Sequence, residues 1–222
     1  MNYHTMTLAQ IATEQPAAIR VFRNYKLDFC CGGNQTLSQA TQDTTIPMSD
    51  VIDELEKVAC SPVGRPSELD TPELVEYIIA GYHERHRQLL PELIFLSTKV
   101  EIAHATHPEC PKGMTTLLEN IQRAMLEHME KEENELFPGL SRGGAETHRA
   151  LIHDLEGEHI EHGEKLEQLQ AYLPAVGIPD GACATWVALI NGTQQLIDEL
   201  MEHVHIENNI LFPRFGNTEE AT

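Results

Sequence analysis

The chain is short of basic charge. Against 15 lysines and arginines stand 35 aspartates and glutamates, a formal charge of −20 over 222 residues. The acidic side chains are spread along the sequence rather than gathered in a tail, so the surface repels phosphate backbones and anionic lipid. Nucleic acid and a membrane are therefore excluded as expected partners. No apolar run approaches the roughly 20 residues of a membrane span, and Met1 to Gln10 lacks the charged-then-apolar layout of an export signal. Cys-x-x-Cys spacing is missing too. The five cysteines, Cys30, Cys31, Cys60, Cys110 and Cys183, are odd in number and carry no zinc-ribbon or thioredoxin pattern. They fit reduced thiols in a cytoplasmic protein better than a disulfide framework. A hydrophobic share of 41% is enough to fill a core without staples.

What is present is helical punctuation. Residues 1–60 read as a small helical N-terminal domain: Thr7 to Tyr25 interrupted at Pro16, then Thr36 to Gln42, then Ser49 to Cys60, with Asp28-Phe29-Cys30-Cys31-Gly32-Gly33 as a loop between them. Residues 61–70 carry two prolines, a glycine and no apolar period, which marks a linker. In residues 71–222, Thr71 followed by Pro72 predicts an N-cap, and helical spacing runs from Leu74 to His104 with a kink expected at Pro91. Further helices are expected from Met114 to Leu136, ended by Phe137-Pro138-Gly139, from Ala145 to Leu173 after the Gly143-Gly144 turn, and from Ala182 to Leu211. Four long helices with short connections predict an all-α, antiparallel four-helix bundle.

The strongest signal is a repeat. His128-x-x-x-Glu132-x-x-x-Leu136-Phe137-Pro138 recurs as His203-x-x-x-Glu207-x-x-x-Leu211-Phe212-Pro213, and His83-x-x-His86 and His159-x-x-His162 precede the two copies at nearly equal distances. The bundle reads as two similar helix pairs. On the third helix Ile152, Leu155, His159, His162, Leu166 and Leu169 alternate by three and four, the inner seam of a bundle helix. Ile79, His83, His86, Leu90 and Leu93 do the same on the first, Leu196, Leu200, His203, Glu207 and Ile210 on the fourth, and Leu117, Ile121, Ala124, His128 and Glu132 share a face of the second.

Burying ionisable groups of several helices at one level costs several kcal/mol unless something compensates. A lone inward histidine is usually a hydrogen-bonded core residue. Four histidines and two glutamates at repeated spacing are better explained by metal, because a His and a Glu at i and i+4 stand about 6 Å apart on one helix face and reach one centre or adjoining centres. Two such pairs and two lone histidines make six ligands, enough for two carboxylate-bridged ions. Imidazole with carboxylate and no thiolate suits iron, manganese or zinc, and a two-ion site in a helical bundle favours iron.

At these residues the chain resembles the hemerythrin-like superfamily. With Tyr25-x-x-Asp28-x-Cys30-Cys31-Gly32-Gly33 ahead of Tyr82-His83-Glu84-Arg85-His86-Arg87 and the two His-x-x-x-Glu motifs, it is similar to the iron-sulfur cluster repair di-iron proteins, the RIC family, over nearly its whole length. The resemblance implies a carboxylate-bridged, oxo-bridged pair of irons on His83, His128, Glu132, His159, His203 and Glu207, with both glutamates bridging. It also implies a stress-response protein acting on damaged iron-sulfur proteins, by donating iron or by reducing nitric oxide, with nitric oxide or oxygen as small-molecule partners. His86 and His162 are expected as outer or spare ligands. Oxygen-carrying hemerythrins place a further histidine where this chain has Gly163, which argues against an oxygen carrier.

Cys30 and Cys31 are candidate functional thiols, for handling a cluster, attacking a disulfide or joining chains, with glycines 32 and 33 allowing close approach by a partner; the bland reading is an inert loop. Cys60, Cys110 and Cys183 carry no motif and read as structural. A ferritin-like site would use Glu101-x-x-His104 and Glu156-x-x-His159, but His104 lies roughly 30 Å along its helix from His83. A sensor or iron store without turnover is the other alternative, and a homodimer is a candidate assembly.

Overall fold

The computed structural model describes residues 2–42, 45–58, 65–141, 148–175 and 177–216. Four short helices come first: α1 (Leu8–Glu14), α2 (Ala18–Asn24), α3 (Leu37–Gln42) and α4 (Met48–Val58). Thr7 caps α1 through a reciprocal pair with Gln10, which satisfies two otherwise orphaned backbone donors. A 3₁₀ turn at Pro66–Glu68 leads to α5 (Thr71–Ile78), whose cap is Asp70 rather than the expected Thr71. The Asp70 carboxylate accepts the Glu73 N–H at 2.9 Å while Glu73 reaches back to the Asp70 N–H at 3.2 Å. Cys60, part of the linker, Gly143-Gly144 and Ala145 lie outside the described residues.

The bundle is built from α5 and α6 (Glu84–Ala103), α7 (Met114–Lys131) with a single turn α8 (Phe137–Leu140), α9 (Arg149–Gln170), and α10 (Ala184–Ile206) with a last turn α11 (Pro213–Gly216). Helix α6 packs on α7 and α10, and α9 packs on the same two, which closes a four-membered ring. His83 from the start of one helix meets Glu132 from the end of the next, and His159 meets Glu207 in the same way, so neighbouring helices run antiparallel. Helix α6 continues through Pro91, and the second bundle helix regains α geometry through Pro138 for one turn instead of stopping there.

The expected inner seams hold on α9 and α10. On α7 the buried positions are Leu118 and Met125, where Leu117 and Ala124 were expected. Before His83 the buried residue is Ile78, with Ile79 only half-buried. Apolar layers close the seam on both sides of the histidines. One end is sealed by Leu74, Ile78, Leu136, Phe137, Leu211 and Phe212. The other side belongs to a larger core in which Leu90, Leu93, Met125, Met129 and Leu200 are continuous with Phe22 and Leu55 of the N-terminal helices and Phe29 of the loop between them. No described helix is long and apolar enough to cross a membrane.

Candidate metal centre

Three bundle helices depart from α geometry at the histidine level. Wide π turns cover Ile79–His83, Glu132–Leu136 and Glu207–Leu211, and the next N–H bonds five residues back: Glu84 to Ile79, Phe137 to Glu132, Phe212 to Glu207. Two of these turns run into Pro138 and Pro213, which have no N–H to donate and whose rings crowd the carbonyl four residues earlier. A π turn takes up one extra residue, so the face that points inward changes phase, and this moves the buried position from Ile79 to Ile78 ahead of Tyr82 and His83.

All six expected ligands are buried, each less than 2% exposed. They form two groups whose ligand atoms all lie within 4.8 Å of one another: His83, Glu132, His203 and Glu207, and His128, Glu132, His159 and Glu207. Both glutamates belong to both groups. Glu132 spans them, with its two oxygens each 3.4 Å from an Nε2, of His83 and of His128. Glu207 does likewise, 3.0 Å from His203 Nε2 and 3.3 Å from His159 Nε2.

The outer nitrogens decide what the inner ones can do. His83 Nδ1 donates to Glu133 at 2.7 Å, His128 Nδ1 to Glu158 at 2.9 Å and His159 Nδ1 to the Asn208 side-chain oxygen at 2.7 Å. A carboxylate can only accept, so these bonds hold the proton on Nδ1 and leave a lone pair on Nε2. The Nε2 atoms converge. His83 and His203 bring their Nε2 atoms to 3.2 Å, His128 and His159 to 3.0 Å, in the company of carboxylate oxygens. Both Glu132 oxygens and Glu207 Oε2 have no hydrogen-bond partner despite complete burial. With neutral imidazoles, acceptors would face acceptors in an apolar shell and repel one another, a conflict that cations between them, protons or metal ions, resolve. Two ions, each with two imidazoles and a share of two carboxylates, fit this donor set, and its lack of sulfur suits iron.

Electrostatics agree. Burial alone would lower His128, yet Glu132 outweighs it and pushes the imidazole up to about 9. Burial would raise Glu207, but the surrounding imidazoles, His203 foremost, hold it well below the usual carboxylate range. The cavity attracts positive charge. His86 and His162 behave differently: buried without a carboxylate partner, they are pushed down to about 2 and stay neutral.

The residues behind the ligands were not foreseen. Glu133 is held by Arg87 at 2.7 Å, and Glu158 by Lys131. Glu133 and Asn208 each directly follow a shared glutamate, and that adjacency, repeated in both motif copies, was the available signal. The ferritin-like alternative fails on geometry. Glu101 accepts the Thr115 N–H at 2.8 Å, while His104 stands against Cys183 at 3.2 Å, at the opposite end of the helix from His83. Cys183 is exposed at the N-cap of α10 rather than packed inside, and its thiol is lowered to about 7 by His104 and by the Trp186 N–H.

The Cys30–Cys31 loop docks on the bundle beside this centre. Asp28 gathers the N–H groups of Cys30, Cys31 and Gly32 at 3.2, 3.0 and 2.8 Å. The Cys30 carbonyl accepts from Asn209 at 3.1 Å, and Cys31 Sγ stands 3.7 Å from the carbonyl oxygen of His159. Cys30 is buried, and its hydrogen bond to Cys31 together with burial holds its thiol protonated; Cys31 is half-buried. A Cβ on Gly33 would sit 2.4 Å from the Phe29 carbonyl oxygen, so the close approach this glycine permits is within the loop itself. Arg23 pairs with Asp198 on α10, fixing the same face.

Comparison with known proteins gives two family matches. A family described as Hemerythrin HHE cation binding domain matches residues 75–215, and one described as Domain of Unknown function (DUF542) matches residues 4–59. The chain is 42% identical over 215 residues to "Iron-sulfur cluster repair protein YtfE" of Escherichia coli O81 (strain ED1a), covering 96% of this chain and 98% of that one. The protein of the same name from Escherichia fergusonii is 41% identical over the same extent.

Proposed function

The chain belongs to the hemerythrin HHE family of iron-sulfur cluster repair proteins, and from that premise we propose that it is a di-iron protein that restores iron-sulfur clusters damaged by nitrosative or oxidative stress. The observation that carries this reading is the sharing of Glu132 and Glu207 between two buried ligand groups. His83 and His203 would hold one iron, His128 and His159 the other, and the two glutamates both. Two irons held there would supply redox-active metal on exchangeable ligands, which suits donating iron to a damaged cluster or reducing nitric oxide.

The protein's own groups do the rest. Glu133, Glu158 and Asn208 orient the imidazoles and fix their tautomers. Phe137 against His83 and Phe212 against His159 keep water from one side. Cys30 and Cys31 face the outside of the helix that bears His159, where a cluster-bearing partner could be handled through Cys31. The separate family matches support two modules, residues 1–60 and 71–222 joined by 61–70, and the reduced-thiol composition supports a cytoplasmic setting.

The test is recovery of a nitric-oxide-damaged iron-sulfur hydratase on incubation with the anaerobically purified, iron-loaded protein. Recovery is expected; it should be lost in His203→Ala, which gives up one of its two irons, and weakened with both irons retained when Cys30 and Cys31 are both changed to Ser. Catalytic consumption of nitric oxide without recovery would make the protein a reductase. Stoichiometric oxygen binding without recovery would make it a sensor or store.

A further inference from the structure

We propose that His86 and His162 are reserve metal ligands, one for each ion, that occupy a coordination position until an incoming small anion or diatomic molecule displaces them. The inference rests on the two-metal reading of the centre and goes beyond its six ligands.

Both histidines are deeply buried, His86 at 0% and His162 at 4% exposed, and they repeat at the same offset after His83 and His159. Neither ring nitrogen of His86 has a partner, and neither does Nδ1 of His162. A buried polar atom left unpaired costs about 1–3 kcal/mol, and carrying that cost at two equivalent positions calls for a compensating partner. The nearest candidates are the metal positions. His86 lies 5.4 Å, centroid to centroid, from His203, and His162 lies 4.9 Å from His128. The ligand pairs themselves are only slightly closer, at 4.9 Å for His83 and His203 and 4.7 Å for His128 and His159. His86 thus neighbours the group of His83 and His203, and His162 that of His128 and His159.

Their nitrogens fall outside the groups that converge within 4.8 Å, so coordination requires a swing of each side chain. That requirement is what makes the ligand displaceable. In the resting centre an imidazole would shield each ion from adventitious ligands, and it would keep hold of an ion whose glutamate lets go. The other way to satisfy these nitrogens is trapped water, and the two arrangements differ in what paramagnetic metal does to the rings.

The experiment loads the full-length apoprotein with cobalt(II) and records proton NMR and azide binding. With two cobalt ions bound, contact-shifted exchangeable imidazole resonances should number six rather than four, and azide should return two of them towards the diamagnetic region. His86→Leu and His162→Leu should each remove one resonance, keep both ions and tighten azide binding at one ion on the order of tenfold, as expected if the imidazole occupies its position nine-tenths of the time. Two bound ions with only four shifted resonances in the unaltered protein would overturn the reserve role and leave the two-metal centre standing, whether or not either variant folds. Fewer than two ions in the unaltered protein would overturn the centre and this inference together.

Discussion

The two proposed metal positions are built from the same repeated motif and yet are not equivalent. In one, both imidazoles are anchored from behind: His128 by Glu158, itself paired with Lys131, and His159 by Asn208. In the other, His83 is anchored by Glu133 and Arg87, but His203 Nδ1 has no partner. Where one helix has Glu158 just before His159, the other has Tyr82 just before His83, and Tyr82 stacks on His203 at 5.4 Å with rings 9° from parallel. Stacking restrains a ring, but unlike a carboxylate it does not raise the basicity of the coordinating nitrogen. Repetition has therefore preserved the inner ligands while the residues behind them diverged, and the ion at His83 and His203 should be the looser of the two.

The comparison breaks most severely at the residues both positions share. Glu132→Ala or Glu207→Ala should abolish binding of both ions, lowering affinity by more than about a hundredfold, as metal analysis of the purified variants would register. Loss of a single ion would mean the carboxylate serves one position only. Next in size, His203→Ala and His159→Ala should each leave about one ion per chain. Chelation of the unaltered protein should be biphasic with rates about tenfold apart. The residual ion in His159→Ala should leave at the fast rate and that in His203→Ala at the slow one; the reverse assignment would refute the asymmetry. Smaller again, Glu158→Gln should speed the slow phase by about tenfold and so merge the two. Least of all, Tyr82→Phe keeps the stacked ring and should change the fast phase by less than about twofold, whereas a large change would assign the hydroxyl a role at the metal.

Eight inward residues stood out because two independent regularities coincide on them, and it was the family resemblance that set the six proposed ligands apart from His86 and His162. They repeat between helix pairs, and their spacing places them on seams that are otherwise apolar. The partners behind them obey neither rule. Glu133 and Glu158 sit on polar faces among many acidic residues, and only the fold reveals that they reach across to a histidine of another helix. The π turns were hidden for a different reason, since counting by 3.6 residues presumes an unbroken α-helix, and the error surfaces as the exchange of Ile79 for Ile78. On α7 the apolar residues on either side of the true seam, Leu117 beside Leu118, made a one-residue slip easy. Docking of the N-terminal helices was also invisible. It depends on Phe29 against His205, with ring centroids 5.5 Å apart, and on the Asn209 bond to Cys30, contacts between segments distant in sequence and without any motif.

The central claim is a pair of ions bridged by Glu132 and Glu207. Iron analysis of the anaerobically purified protein, joined to Mössbauer spectroscopy of the oxidised form in an applied field, tests it most directly. The account predicts two irons per chain coupled into a diamagnetic pair. One zinc per chain without iron, in protein produced with iron available, or two irons that remain magnetically isolated, would contradict it.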